Sequence, residues 1–384
     1  MTTGTIESTT RVELEPQVIP LTIKPVRTGS HLHGNLAAKK IPSLDGLRAV
    51  AVLLVIFHHL GIRYAPHGRG VLTFFVLSGF LITWLLLREA DHKSEISIKA
   101  FYVRRVLRIF PAFYVFWAIH LTITFLTHGE RSATPVGDYV SAFFYVSNYW
   151  HALTQGTYHY LGHTWALAIE EQFYLLWPLL LAALITDLRK LTRVLIAIIG
   201  CVDIYRMVLF FKFHASDDWL TFTFDSRIDH LLVGCLLAVL LKRGVLDKFW
   251  ELMTSRLWIS IATLALIIGS IALNFHYGPA YKYAVGFMVD PLLTAIFLVQ
   301  VIALPKAWAW SWLNWGITRF VGKVSYSMFL FHVFANDLAK HVLLPHRPLI
   351  IVTPVAIALA VAMGTASYYL IEARFLRLKP KFGG

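Results

Sequence analysis

The sequence predicts an all-α integral membrane protein with about ten transmembrane helices, and three observations lead to this prediction. Of its 384 residues, 57% are hydrophobic, only 15% are charged, and the mean hydropathy is +0.62. Water-soluble domains contain about 45–50% apolar and about 25% charged residues. The composition therefore nearly excludes a soluble enzyme, a disordered chain, a coiled coil and a disulfide scaffold.

Apolar stretches long enough to cross a bilayer alternate with short polar loops along the chain. A spanning helix needs about 20 mostly apolar residues, whereas the strands of a β-barrel are about half that length. The sixth stretch is short, and the fourth contains two carboxylates. The ten predicted spans are 44–62, 71–88, 109–127, 164–186, 193–211, 228–242, 257–274, 285–305, 324–342 and 349–371.

Basic residues are in excess, with 35 Lys and Arg against 22 Asp and Glu and a net charge of +13. Such an excess can indicate a nucleic-acid partner, but cytoplasmic loops of membrane proteins are also rich in Lys and Arg. If the N-terminus lies inside, 20 basic residues fall on inner loops and the C-terminal tail, and 7 fall on the outer side. This asymmetry predicts N-in and C-in topology and no nucleic-acid partner.

The first apolar run begins only near Leu44, which is too late for a cleaved signal peptide. Residues 1–40 are therefore predicted to be a flexible cytoplasmic tail, 41–378 a transmembrane domain and 379–384 a short cytoplasmic C-terminal tail. Cys201 and Cys235 lie in apolar runs without metal-ligand spacing, so neither a disulfide framework nor a metal site is expected. The absence of an internal repeat weighs mildly against a transporter built from repeated halves.

The first predicted helix carries polar residues that are costly in a membrane. An ionisable residue in a spanning helix costs about 2.5–3.5 kcal/mol on insertion scales, which makes it a functional candidate. Arg48 and His59 are eleven positions apart, so they point within about 20° of each other and lie about 16 Å apart along the axis. Asp45 precedes Arg48 by one turn. Alternatively, Arg48 snorkels to the inner interface and His59 caps a neighbouring backbone.

Two further pairs of charged residues are candidates for a site. Arg105 and Arg108 share a helix face, and arginine suits bidentate phosphate binding, although a basic inner loop also follows the positive-inside rule. Glu170 and Glu171 lie about two turns into the fourth predicted helix and point about 100° apart. They could orient an imidazole, bind a hydroxyl, pair with an arginine or form a structural ion pair. Weaker polar candidates in later helices include Asp225, Arg227, Asp229, Ser325, Tyr326, His332 and Glu372.

Several of these motifs together resemble the membrane acyltransferase 3 family, over residues 41–378. The opening Ile41-Pro-Ser-Leu-Asp-Gly-Leu-Arg48, followed by ten residues and His59, is similar to the signature that begins this family. Weaker similarities to motifs of this family occur at residues 226–234, 322–332 and 369–372. The other similar motifs are Phe74-Phe-Val-Leu-Ser-Gly-Phe-Leu-Ile82, Arg105-x-x-Arg108-Ile-Phe-Pro and His163-Thr-Trp165 through Glu170-Glu171-Gln-Phe-Tyr-Leu-Leu-Trp-Pro178.

The resemblance implies a ten-helix enzyme of the bacterial inner membrane. Such an enzyme moves an acyl group, usually acetyl, from cytoplasmic acyl-CoA to a hydroxyl of a glycan or another hydroxylated acceptor. Exopolysaccharide, O-antigen and lipid-linked sugars all fit as acceptors. The chain ends soon after the last predicted helix, so a stand-alone member without an SGNH-type hydrolase domain is expected. Ala166 stands where the family motif often has serine, which weakens a role for that position.

The resemblance also assigns roles to residues of this chain. His59 would be the essential histidine and Arg48 its motif partner, while Arg105 and Arg108 would hold the acyl-CoA. Glu170 and Glu171 would belong to the conserved carboxylate motif, and no metal is implied. The weaker substrate-binding candidates are Asp45, Trp165, His163, Tyr326 and His332.

Acyl transfer from a thioester to an alcohol explains why these residue types are useful. The attacking hydroxyl must lose a proton to a base such as the His59 imidazole, and the developing oxyanion needs donors such as Arg48. Direct transfer is expected, and an acyl-histidine intermediate is the alternative. A transporter or flippase of a polar or sugar-linked substrate, in which buried Arg, His and Glu form a path, is the alternative function.

Overall fold

The computed structural model describes residues 31–38, 40–62, 65–66, 68–93, 95–127, 134–154 and 161–379. All regular secondary structure within these ranges is helical, which confirms the predicted all-α class. Most of the predicted N-terminal tail lies outside the described residues, and so do the last five residues of the chain. The three domain boundaries remain predictions.

Seventeen α-helices make up most of the described chain. Short 3₁₀ turns occupy Gly162–Thr164 and Ser311–Asn314, and π-helical segments occupy Lys282–Gly286, Leu338–Leu343 and Tyr368–Glu372. The α-helices are α1 (His31–Ala37), α2 (Pro42–His59), α3 (Arg69–Lys93), α4 (Ile98–Leu126), α5 (Val136–Phe143), α6 (Ser147–Thr154), α7 (Trp165–Leu184), α8 (Leu188–Phe211), α9 (Asp217–Phe222), α10 (Ile228–Arg243), α11 (Asp247–Ser255), α12 (Leu257–Tyr277), α13 (Pro279–Tyr281), α14 (Phe287–Ala303), α15 (Gly316–Asp337), α16 (Leu349–Ser367) and α17 (Ala373–Leu376).

Seven stretches of the described chain are long and apolar enough to cross a membrane, which is typical of an integral membrane protein. They correspond to seven of the ten predicted spans, and the other three predicted spans are the helices α2, α10 and α15. The total of ten spans and the N-in orientation therefore remain predictions. The seven stretches are Arg69–Lys93, Ile98–Leu126, Gly162–Leu184, Leu188–Phe211, Leu257–Tyr277, Pro279–Ala303 and Leu349–Leu376.

Length and polar content explain why α2, α10 and α15 are less typical membrane helices. α10 has only 16 residues, and α2 and α15 contain charged residues. Eleven of the 16 residues of α10 are buried by the rest of the protein. In α12, by contrast, only Ser260, Thr263 and Ser270 are buried, so its apolar side chains face outward. A helix surrounded by protein can carry polar groups, because neighbouring helices supply their partners. An inner helix can also keep the apolar pattern of a membrane span, as α3 does with 72% of its most apolar window buried.

The inner helices approach one another closely because glycines lie where they cross. A Cβ atom added at Gly322 in α15 would come within 1.8 Å of the backbone oxygen of Asp45 in α2. A Cβ at Gly79 in α3 would come within 1.9 Å of the backbone oxygen of Leu231 in α10. These contacts hold α2 against α15 and α3 against α10, and residues of α2, α3 and α15 line the candidate site.

Candidate active site

Two cavities lie along α2, one beside each end of its polar stripe. The arginine cavity, of about 90 Å³, is lined by Arg48, Arg105, Arg108, Ser78, Glu170, Tyr326 and apolar neighbours. The histidine cavity, of about 820 Å³, contains His59 in its lining. Val71 and Phe329 line both cavities, so they form the wall between them. The predicted stripe on α2 therefore faces two separate spaces.

His59 is the last residue of α2, and its side chain is exposed to the histidine cavity. Its Nδ1 lies 2.9 Å from the backbone oxygen of Val55. A carbonyl oxygen can only accept a hydrogen bond, so Nδ1 carries the proton and Nε2 of the neutral ring keeps its lone pair. The ring is therefore held in the tautomer that makes Nε2 a base, and a backbone carbonyl holds it there.

Two further imidazoles continue from His59 in a row of ring contacts, and both come from residues that the sequence marks only weakly. The ring of His332 lies 4.7 Å from that of His59 and 4.9 Å from that of His163. His332 is fully buried, and its Nδ1 donates to the backbone oxygen of Phe329 at 2.6 Å. Among the described residues, no hydrogen-bond partner reaches its Nε2. Sequence spacing could not predict this contact, since the three rings come from separate elements.

The arginine cavity brings together the two basic motifs of the sequence. Arg48 approaches Asp45 at 3.7 Å, one turn away as predicted, and this pair is partly exposed. The guanidinium of Arg105 lies 4.8 Å from the centre of the Tyr174 ring. Arg108 lines the same cavity. Three guanidinium groups from α2 and α4 thus surround one small space.

The paired carboxylates of α7 point to different surroundings, as their 100° separation predicts. Glu170 lines the arginine cavity and accepts a hydrogen bond from Ser78 at 2.7 Å, whereas Glu171 lines neither cavity. Within the described ranges, no arginine or lysine nitrogen comes within 4 Å of either carboxylate. A direct ion pair is therefore not found here, and Glu170 forms a hydroxyl contact instead.

The other weak candidates for substrate binding do not all line the same cavity. Trp165 and His163 line the histidine cavity, while Tyr326 lines the arginine cavity. The Tyr326 hydroxyl donates to the backbone oxygen of Ile109 at 2.9 Å, which ties α15 to α4. Asp45 lines neither cavity and contacts Arg48 alone among these candidates.

A lysine outside the membrane-spanning segments extends the basic region. Lys379 follows α17 and is partly buried. This burial, together with the nearby positive charges of Arg108 and Arg105, lowers its pKa to about 7. A bound anion would favour the protonated form of this lysine.

The charged wall of the histidine cavity was not predicted from the sequence. Arg69 pairs with Asp290 at 2.6 Å, and Lys282 pairs with Asp217 at 3.1 Å. Arg69 and Lys282 were counted only as loop charges. Asp290, however, lies inside the predicted span 285–305, and a carboxylate in such a position is itself a signal of function.

The three polar candidates around the start of α10 have different surroundings. Asp229 accepts from Arg206 at 3.0 Å, and Asp225 accepts from Tyr205 at 2.7 Å. Arg227 lines the histidine cavity. Only the tertiary structure shows that these three residues, which are close in sequence, have different partners.

Comparison with known proteins identifies the family. The profile described as "Acyltransferase domain" matches residues 41–371. The chain belongs to this acyltransferase 3 family. This range includes α2 with Arg48 and His59, the basic motif of α4 and the paired carboxylates of α7.

Similar proteins include O-acetyltransferases of Staphylococcus aureus. A protein of strain COL that carries the provisional name O-acetyltransferase is 32% identical over 346 residues, which is 87% of this chain and 57% of that protein. The O-acetyltransferase OatA of strain NCTC 8325 is 32% identical over 353 residues, which is 86% of this chain and 56% of OatA. This acyltransferase 3 chain thus spans little more than half the length of these relatives. No solved structure matches it significantly.

Proposed function

We propose that the protein is a membrane O-acyltransferase that moves an acyl group, acetyl in the simplest case, from acyl-CoA to a hydroxyl. The acceptor would be a glycan, such as an exopolysaccharide, an O-antigen or a lipid-linked sugar, or another hydroxylated molecule. The observation that carries the proposal is the position of His59. His59, whose Nε2 keeps its lone pair, lines a large cavity that one wall separates from three arginines.

The arginine cavity would receive the donor from the cytoplasmic side of a bacterial inner membrane, in the predicted N-in orientation. Arg105 and Arg108 would bind phosphate groups of CoA, because guanidinium groups suit phosphate oxygens. Arg48 would lie next to them. A cavity of about 90 Å³ holds only a few water molecules, so the pantetheine arm needs more room. We propose that the Phe329 ring moves aside when the donor threads toward His59.

The chemistry requires one proton transfer in each direction. Nε2 of His59 takes the proton of the acceptor hydroxyl as its oxygen attacks the thioester carbonyl. The carbon–sulfur bond then breaks, and the CoA thiolate leaves with the proton that His59 received. His332 would hold the His59 ring by packing against it, His163 would support His332 in turn, and Trp165 would form a wall of the acceptor space. Direct transfer needs no covalent histidine intermediate.

Roles for the remaining residues follow from their positions. Glu170, held by Ser78, would offset part of the positive charge of the arginine cavity. Tyr326 would position α15 through its bond to Ile109 rather than touch substrate. Glu171 and Asp45 would act indirectly, since neither lines a cavity.

The test is acetyl-CoA turnover by purified protein in proteoliposomes, with crude envelope glycans as acceptor and free thiol as the readout. His59→Ala should reduce turnover about 10²- to 10⁴-fold, the usual contribution of a general base. His276→Ala, an exposed histidine near the end of α12, is the matched control and should retain turnover. Equal turnover in the wild type and His59→Ala would remove His59 from the mechanism.

A second candidate function is a transporter or flippase, favoured by the two cavities on either side of one wall. Alternating access requires such a wall to open on one side at a time. The same experiment separates the two functions, because a transporter does not consume acetyl-CoA. Wild-type protein that releases no thiol with any acceptor fraction would support the transporter.

A further inference from the structure

The histidine cavity is lined by five charged side chains, and four of them are paired. Arg69 binds Asp290, and Lys282 binds Asp217, so their charges cancel locally. Arg227 is the fifth. No carboxylate oxygen within the described ranges lies within 4 Å of its guanidinium nitrogens. The described lining thus carries one positive charge without a paired negative charge.

Arg227 is deeply buried, with only 2% of its surface exposed. Its guanidinium lies 4.2 Å from the centre of the Phe287 ring and 5.9 Å from those of Trp165 and Phe75. Aromatic rings attract a guanidinium through its faces but leave the N–H groups at its edge to find acceptors. Its Nε has no hydrogen-bond partner among the described residues. A buried guanidinium without an ion pair is energetically costly, so an anionic partner would stabilise it.

The neighbouring carboxylate does not serve as that partner. Asp229 lies two residues further along the chain, but it binds Arg206 at 3.0 Å. Arg206 also pairs with Asp203, so Asp229 belongs to a separate buried cluster. Arg227 is held by aromatic rings and faces the cavity that contains His59.

We propose that Arg227 binds an anionic group of the acceptor, a carboxylate or a phosphate, while a hydroxyl of the same molecule meets His59. This inference rests on the proposed function, because it assumes that the acceptor occupies the histidine cavity. The phosphate groups of the donor would instead bind in the arginine cavity, on the other side of Phe329. Trp165, which packs against Phe222 at 5.0 Å, offers a flat apolar wall for a sugar ring beside the charge. The acceptor class is therefore an acidic sugar.

The test measures binding in nanodiscs without acetyl-CoA. Three radiolabelled sugars share one ring and differ in charge: glucose, glucuronic acid with a carboxylate, and glucose 1-phosphate. Binding is measured by equilibrium dialysis for the wild type, Arg227→Gln, Arg227→Lys and the control Arg256→Gln. Arg256 is exposed at the N-terminal end of α12 and lines neither of the two cavities.

The expected result is that at least one charged sugar binds the wild type about tenfold more tightly than glucose, as a charge-assisted hydrogen bond allows. Arg227→Gln should lose this preference, Arg227→Lys should keep only part of it, and Arg256→Gln should keep all of it. Tight binding of both charged sugars indicates recognition of charge, whereas tight binding of one identifies carboxylate or phosphate as the group.

Two results would overturn the inference. One is a wild type that binds neither charged sugar more tightly than glucose. The other is a charge preference that survives in Arg227→Gln or, if that variant does not fold, is undiminished in Arg227→Lys. Because donor is absent, failure of the proposed function remains distinguishable: wild-type protein that never consumes acetyl-CoA but shows the Arg227-dependent preference would refute acyl transfer and retain the anion site.

Discussion

The two cavities along α2 differ in whether the charged side chains in their lining are paired. In the arginine cavity, three guanidinium groups surround a small space, and the one carboxylate in its lining binds a serine. In the much larger histidine cavity, two cations are paired with aspartates, and Arg227 is the one arginine or lysine of the described lining without such a pair. One space concentrates positive charge, and the other nearly neutralises it.

This difference indicates what each cavity can hold. Concentrated guanidinium groups suit a ligand with several phosphates, such as CoA. A nearly neutral polar cavity suits a hydroxylated molecule with at most one negative charge. Since Phe329 lies between them, the two ligands would meet only at His59. Substitutions in each cavity can test whether the donor and the acceptor bind in separate spaces.

The largest effect is expected at the buried ion pair of the histidine cavity. Asp290→Asn leaves Arg69 buried without its carboxylate, and breaking a buried pair in this way costs about 3–5 kcal/mol. Thermal melting in detergent should show a large drop. The double variant with Arg69→Gln should recover part of it, because no unpaired charge remains. Unchanged melting of Asp290→Asn would show that the pair contributes nothing.

The next effect concerns donor binding at the arginine cavity. Replacing both Arg105 and Arg108 by Gln should raise KM for acetyl-CoA about a hundredfold, from the loss of two charge-assisted contacts. The variant should fold normally and keep its preference for charged sugars. Arg319→Gln, an exposed arginine near the start of α15, is the control. An unchanged KM would place the donor elsewhere.

A smaller effect is expected when the wall between the cavities is thinned. Phe329→Leu should increase acetyl-CoA hydrolysis in the absence of acceptor several-fold, because water would reach the thioester more easily. Phe331→Leu removes a ring two residues along the same helix that lines neither cavity, and it should have no such effect. Equal hydrolysis by both variants would show that Phe329 does not separate the spaces.

The smallest effect is expected at the partly exposed pair of the arginine cavity. Asp45 lies 3.7 Å from Arg48, and such pairs contribute about 0–1 kcal/mol. Asp45→Asn should therefore melt close to the wild type, in contrast to Asp290→Asn. A large loss of stability in Asp45→Asn would reveal a structural role that its exposure does not indicate.

Local helix geometry made much of the site predictable. The spacing of Arg48 and His59 predicted one face of one helix, and the structure places them on cavities at the two ends of α2. The spacing of Arg105 and Arg108 likewise predicted a shared face. The number of spans was harder to predict, because α10 is short for a spanning helix and because α2 and α15 carry charged residues among their apolar ones.

The contacts between separate helices were not predictable in this way. His163 and His332 were only weak candidates, although His332 packs against His59 and His163 packs against His332. Arg69 and Lys282 look like ordinary loop charges in the sequence, and only folding pairs them with Asp290 and Asp217. No local pattern contains this information.

The sequence by itself determined the membrane class, the family and the stripe on α2, because composition, motif spacing and the 3.6-residue period are properties of continuous segments. The tertiary structure alone decided which charges are paired and which rings enclose His59. It also decided that Arg227 lines the histidine cavity and packs against aromatic rings. These outcomes depend on close packing between helices distant in the chain, where crossing glycines set which side chains meet.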